Sequence, residues 1–189
     1  MASRAKRRAR RWLLTVLLFV LLVIGGVWLL RTLYPLSYEQ EVRSVAEKYG
    51  ISPSLVYAVI HTESGFDPEA RSSAGAVGLM QVTPPTMEWA LMRNGVSGTP
   101  DEKMLTDPAF NIEIGTCVLH LLSEQFSEQD TVLAAYNAGM GHVQTWLSDT
   151  AYSADGQTLH TIPFEETANY VKKVRRAQKI YQRLYGIDN

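Results

Sequence analysis

The residues from Tyr57 to Thr86, YAVIHTESGFDPEARSSAGAVGLMQVTPPT, concentrate the groups of this chain that are able to do chemistry. An apolar helical run ends on a carboxylate, Glu63, and passes into a loop of small residues, Arg71 to Gly78. A carboxylate at the rim of an apolar helix is open to desolvation, which raises its pKa as a general acid requires. Gly75 and Gly78, set among Ser72, Ser73, Ala74 and Ala76, permit backbone conformations and close approaches that suit a loop lying against a ligand. Position alone leaves a solvated helix-end glutamate as the ordinary alternative, so the other reactive groups decide.

Those groups are few. His61, His120, His142 and His160 are scattered, and none stands in HExxH spacing. His61-Thr62-Glu63 resembles the HxE half of a zinc deaminase site, but no PCxxC follows, so neither a metal nor another cofactor is expected. GxSxG and GxxxxGK[ST] are both absent. Ser64 is expected to hydrogen-bond locally rather than attack, and Cys117, within the apolar IEIGTCVLHLL, reads as a buried, inert thiol. What remains beside Glu63 is Gln81, the pair Tyr136-Asn137 and Tyr170. Hydroxyls, amides and aromatic faces are what a polysaccharide needs. Tyr136 and Tyr170 are each equally compatible with core packing, and it is their presence together with Glu63 that points to a site.

The elements that must position these residues are helical. Val42, Val45, Ala46 and Tyr49 fall at helical spacing before a stop at Gly50. Ser52-Pro53 caps and opens the next helix, with Leu55, Val56, Ala58, Val59 and Ile60 to bury and Glu63 near its end. Further helices are expected from Pro84-Pro85-Thr86, from Asp107-Pro108 to Phe126, from an Asp130 or Thr131 cap through TVLAAYNAG, and from Pro163 to Tyr185. The TVLAAYNAG helix is expected to break at Gly139 and Gly141 before HVQTWL. In the last helix Ala168, Val171, Val174, Ile180 and Leu184 are expected inward. Asn94 to Asp101 is turn-rich, and Ser148 to Thr161 reads as an exposed loop. No segment shows a sustained period of two, so the class is all-α, with one helical domain over 41–189.

Ahead of this domain lies a different kind of segment. Seven of the 18 basic residues and none of the 19 acidic ones fall within positions 1–31, so the remainder is acidic and argues against nucleic-acid binding. From Trp12 to Leu30 run 19 residues without a charge, enough to cover a hydrocarbon core of ~30 Å at ~1.5 Å per residue. The basic residues of 1–11 place the N-terminus in the cytoplasm and the domain outside, with 31–40 as connector. A cleavable signal peptide is the competing reading. The run is longer than the usual apolar core of ~7–15 residues, and Gly25-Gly26-Val27-Trp28 is a poor cleavage site, which favours a retained anchor in the cytoplasmic membrane.

Four stretches then resemble a known family in order. Glu63-Ser64-Gly65-Phe66, Gly75-Ala76-Val77-Gly78-Leu79-Met80-Gln81, Ala135-Tyr136-Asn137-Ala138-Gly139, and Glu166-Thr167 with Tyr170-Val171 are similar to the motifs of the soluble-type lytic transglycosylases. The similarity covers roughly Ser44 to Gly186, and Thr83 stands where the family commonly has methionine. The resemblance implies a goose-lysozyme-like α fold and cleavage of peptidoglycan glycan strands between N-acetylmuramic acid and N-acetylglucosamine. It implies Glu63 as the sole acid/base, giving a 1,6-anhydro product, and Ser72, Met80, Gln81, Tyr136, Asn137 and Tyr170 along the substrate groove. Such chemistry needs one carboxylate where ordinary glycoside hydrolysis uses two. The short connector suggests membrane-proximal strands as the target. Alternatives are a lysozyme-type hydrolytic muramidase, a non-catalytic glycan-binding envelope scaffold, and a phage or secretion-apparatus component that opens the wall locally.

Overall fold

The structure is a computed structural model that describes residues 2–96 and 101–188, so part of the expected turn at Asn94 to Asp101 lies outside the described residues. The chain divides between Pro35 and Leu36 into two compact units. The first is one helix, α1 (Ala2–Leu33), which runs through the basic segment because nothing there breaks it. Its stretch Arg8–Leu33 contains an 18-residue window with a mean hydropathy of 2.9 and is long and apolar enough to cross a membrane.

The second unit is helical throughout: α2 (Glu39–Tyr49), α3 (Pro53–Glu63), α4 (Pro84–Arg93), a short 3-10 turn (Glu102–Thr106), α5 (Pro108–Gln125), α6 (Gln129–Ala138), α7 (Met140–Leu147) and α8 (Glu165–Tyr185). Among the described residues there is no strand, only isolated bridges of Val77 with Arg71 and with Val82 that tie the loop between α3 and α4.

Three helices start by one local rule. Ser52, Thr83 and Asp107 each accept from the backbone N–H three residues on, at 3.4, 3.3 and 2.8 Å, and each precedes a proline at the first helical position. The side-chain oxygen satisfies an otherwise orphan donor, and the proline has no N–H to orphan. The start of α6 departs from expectation. Glu128 stands at the cap without a side-chain bond, and Asp130 lies in the first turn, where it pairs with Arg175 of α8 at 3.2 Å. Gly139, at φ 90° and ψ 143°, alone separates α6 from α7, and Gly141 is helical.

Burial explains the arrangement. Leu55, Val56, Ala58, Val59 and Ile60 of α3 are all buried, and α3 packs along α8, with Tyr57 stacked on Tyr181 at 5.2 Å between ring centroids. On α8 the buried face runs Thr167, Tyr170, Val171, Val174, Ala177, Gln178 and Tyr181. Val171 and Val174 lie where expected, but Ala168, Ile180 and Leu184 are only half-buried, while Tyr170 and Tyr181 take buried places. α5 is buried on nearly all sides from Asn111 to Leu122, which makes it the central helix.

Candidate active site

Glu63 is the last residue of α3, half-buried where the helix meets the loop. Burial raises its carboxyl pKa to about 7, and the Tyr170 hydroxyl acts against part of that rise. The hydroxyls that face it come from two other helices. Tyr136, near the end of α6, and Tyr170, in the second turn of α8, both have pKa values pushed well up, first by burial and then by the Glu63 charge. Tyr136 Oη donates to Met80 O at 2.8 Å. Tyr170 Oη is buried and makes no hydrogen bond of ordinary geometry, although it stands near enough to Glu63 to influence it.

A carboxyl that exchanges its proton near neutrality can serve as acid and then as base within one turnover. Asp67 and Glu69, the acids nearest in sequence, are exposed in the turn that follows. Asp67 Oδ1 there accepts from Glu69 N at 2.9 Å, as an Asx turn does. Among the described residues no group of three or more His, Cys, Asp or Glu side chains is placed to hold a metal ion.

The loop between α3 and α4 is organised from within. Ser64 Oγ has Leu79 O at 2.8 Å and Ile60 O at 3.2 Å as acceptors for its proton and accepts from Phe66 N at 3.1 Å, so beside its local bonds it reaches across the loop. Gln81, at φ 49°, donates from Nε2 to Ala70 O at 3.1 Å and Gly78 O at 2.9 Å, which leaves Oε1 as its free acceptor. Met80 is fully buried, and a Cβ on Gly115 of α5 would come within 2.5 Å of its sulfur. Its side chain therefore fills the core, and it meets Tyr136 through its backbone carbonyl. Gly78 has φ +80°, and its close approach is to Asn111 and Leu105 of the protein itself, within 2.4 Å of an added Cβ. Gly75, also at +80°, has open space.

Clefts flank this centre. One of 560 Å³ is lined by Arg71 to Val77 without Ser73, by Thr83 to Pro85, and by Glu102 and Lys103, and it includes the exposed Ser72. A second of 280 Å³ shares Pro85 and adds Trp89, Tyr136, Gly139 and Met140. A third of 450 Å³ begins at Asn137, next to Tyr136 in the chain, and includes Phe164, Glu166 and Thr167. Thr167 Oγ1 donates to Asn137 Oδ1 at 2.7 Å, joining α8 to α6 beside that cleft. Glu63 lines none of the three, and of the two tyrosines that face it only Tyr136 lines one, the second. The structure thus gathers Glu63, Tyr136 and Tyr170, with Asn137 next to Tyr136 in the chain, and places Ser72 on the first cleft. Sequence reasoning missed Trp89 and Pro85 as groove residues. It also missed Asn111, whose one signal is an amide inside an apolar helical pattern.

Residues 40–158 match the model of the transglycosylase SLT domain, and the chain belongs to that family. The match ends ahead of α8, which supplies Tyr170. Over 167 residues the chain is 34% identical to the soluble lytic murein transglycosylase of Escherichia coli K12, covering 87% of this chain and 26% of that protein. The crystal structure of the 70 kDa soluble lytic transglycosylase of Escherichia coli superposes with a TM-score of 0.74 at 32% identity, over 87% of this chain and 27% of that one. An inactive glutamate-to-glutamine variant of the lytic transglycosylase Slt of Pseudomonas aeruginosa gives 0.71 at 31% identity, over 82% and 25%. The chain spans about a quarter of the length of these relatives.

Proposed function

We propose that this chain is a peptidoglycan lytic transglycosylase whose catalytic domain, residues 41–189, acts with Glu63 as its single acid/base. The observation that carries the reading is a half-buried carboxyl with a pKa of about 7, attended by two tyrosines and by clefts suited to an extended sugar strand. Glu63, protonated, gives its proton to the oxygen linking N-acetylmuramic acid to N-acetylglucosamine, and the C1–O bond breaks as the leaving sugar departs. The Glu63 carboxylate then takes the proton of the muramic C6 hydroxyl, and O6 closes on C1. The ring so formed is 1,6-anhydro, no water is consumed, and Glu63 regains its proton. A burial-raised pKa suits both halves, since the group holds its proton at the start and accepts one readily afterwards.

Ser72, Gln81, Tyr136, Asn137 and Tyr170 are assigned to substrate, with the free Gln81 Oε1 and the exposed Ser72 toward the strand. Met80 is assigned to the site through its backbone. Support also comes from the relative of Pseudomonas aeruginosa, in which a single glutamate-to-glutamine change accompanies inactivity. The segment Arg8–Leu33 is assigned as a cytoplasmic-membrane anchor, N-terminus inside, because its apolar length spans a bilayer and basic residues precede it. The test is digestion of purified sacculi. Wild-type chain releases soluble muropeptides and folded Glu63→Gln does not, whereas substantial release by that variant defeats the single-carboxylate mechanism.

A further inference from the structure

The peptide unit between Leu79 and Met80 is gripped at both ends. Its carbonyl accepts from Ser64 Oγ at 2.8 Å, and its N–H, that of Met80, donates to Asn111 Oδ1 at 2.7 Å. The next carbonyl, Met80 O, accepts from Tyr136 Oη at 2.8 Å. Three helices therefore meet on two loop residues: α3 through the residue that follows Glu63, α5 through Asn111, and α6 through Tyr136.

Asn111 is fully buried on α5. Its Nδ2 donates to Val77 O at 2.9 Å and to Leu105 O at 2.8 Å, so both donors are used as well as the acceptor. Turning this amide over would face donor to donor and acceptor to acceptor, which locks its orientation. The lack of a side chain at Gly78 is what admits the amide this close to the loop. At the other end, α3 stops at Glu63, and the bond from Ser64 to Leu79 fastens the helix terminus just where its own hydrogen-bond ladder runs out.

We propose that Ser64 and Asn111 are positioning residues which, by clamping the Leu79–Met80 peptide between them, hold the end of α3 and Tyr136 in their working relation. The proposal rests on the assignment of Glu63 as acid/base. A proton donor misplaced by about an ångström loses on the order of a hundredfold in rate, so a device that fixes the loop, the helix end and the tyrosine together is a catalytic requirement. The titratable groups facing Glu63 are Tyr136 of α6 and Tyr170 of α8. Release of the clamp frees Tyr136 and admits water, and the Glu63 carboxyl then returns toward its ordinary range.

The test is a carbon-13 NMR titration of the Glu63 carboxyl in the full chain in detergent micelles. It is run alongside thermal melting and turnover for wild type, Ser64→Ala, Asn111→Ala, their double variant, and Val45→Ala as a core control on α2. Both clamp variants are expected to lower the Glu63 pKa by about one unit and kcat by at least about tenfold, with KM within about threefold. The double variant is expected to be little worse than the more severe single, as for two ends of one clamp. Val45→Ala is expected to lose stability without moving the titration. Ser64→Ala removes one hydroxyl from a half-buried site, so it carries the test where Asn111→Ala does not fold. An unchanged Glu63 titration in folded Ser64→Ala overturns the proposal. Wild type that releases no anhydro product, with the titration still shifted in the clamp variants, upholds the clamp and removes the catalytic assignment instead.

Discussion

Tyr170 of α8 buries its hydroxyl beside the Glu63 carboxyl of α3 without completing a hydrogen bond of ordinary geometry to any group. A buried hydroxyl left in that condition costs about 1–3 kcal/mol. Tyr170→Phe is therefore expected to leave stability unchanged or raise it by up to about 1 kcal/mol, while lowering kcat by roughly ten- to a hundredfold. Because the hydroxyl holds the Glu63 pKa down, its removal also moves the alkaline limb of the rate profile upward. Melting and pH-resolved kinetics on one preparation check both halves.

With Glu63 proposed as the acid, wild-type turnover is expected to follow its protonated fraction. With a pKa of about 7, kcat/KM is expected to be level below neutrality on this limb and to fall about tenfold per pH unit above it. A profile that stays flat to pH 9 contradicts a general acid of this kind.

The same shift is a statement about stability. The folded pKa of Glu63 lies above the unfolded value, so its carboxylate form opposes folding. The penalty is full above pH 7, shrinks as the pH falls toward 4.5, and vanishes below that. Glu63→Gln is expected to be more stable than wild type by roughly 2–3 kcal/mol at pH 8. The difference closes by pH 4.5, as read from denaturant midpoints across the range.

Gly75 and Gly78 share a left-handed φ of +80° yet differ in surroundings. Gly75→Ala meets open space and is expected to cost about 1 kcal/mol, from backbone strain alone. Gly78→Ala drives a methyl into Asn111 and the Leu105 carbonyl and is expected to cost about 3 kcal/mol. Equal melting temperatures for the two variants contradict the packing described for Gly78.

Thr167→Val removes the bond from α8 to Asn137 while keeping the shape. A stability loss of about 1–2 kcal/mol is expected. KM should rise more than kcat falls, since Asn137 lines a cleft and is proposed to hold substrate.

Much of this arrangement is legible in the chain itself. Ser52-Pro53, Pro84 and Asp107-Pro108 mark helix starts because capping is local chemistry, and Glu63 stands out as a carboxylate ending an apolar helix. The residues that hold the site are not legible in the same way. Asn111 binds backbone 31 and 34 residues away, and no periodicity encodes such a partner. Met80 and Gln81 sit in a motif suggestive of ligand contact, yet the thioether is spent on the core and the amide nitrogen on the loop. On α8 the buried face includes Tyr170 and Tyr181, the latter stacked on Tyr57 of α3, and leaves Ile180 and Leu184 half-buried, which an aliphatic stripe read from sequence does not anticipate.

The most direct measurement is the mass of the muropeptides released from purified sacculi by the wild-type chain. Intramolecular closure of O6 on C1, with Glu63 as the only acid/base, predicts products ending in 1,6-anhydro-N-acetylmuramic acid, each one water lighter than the reducing sugar. Products ending in reducing N-acetylmuramic acid, with heavy oxygen incorporated from labelled water, would contradict it.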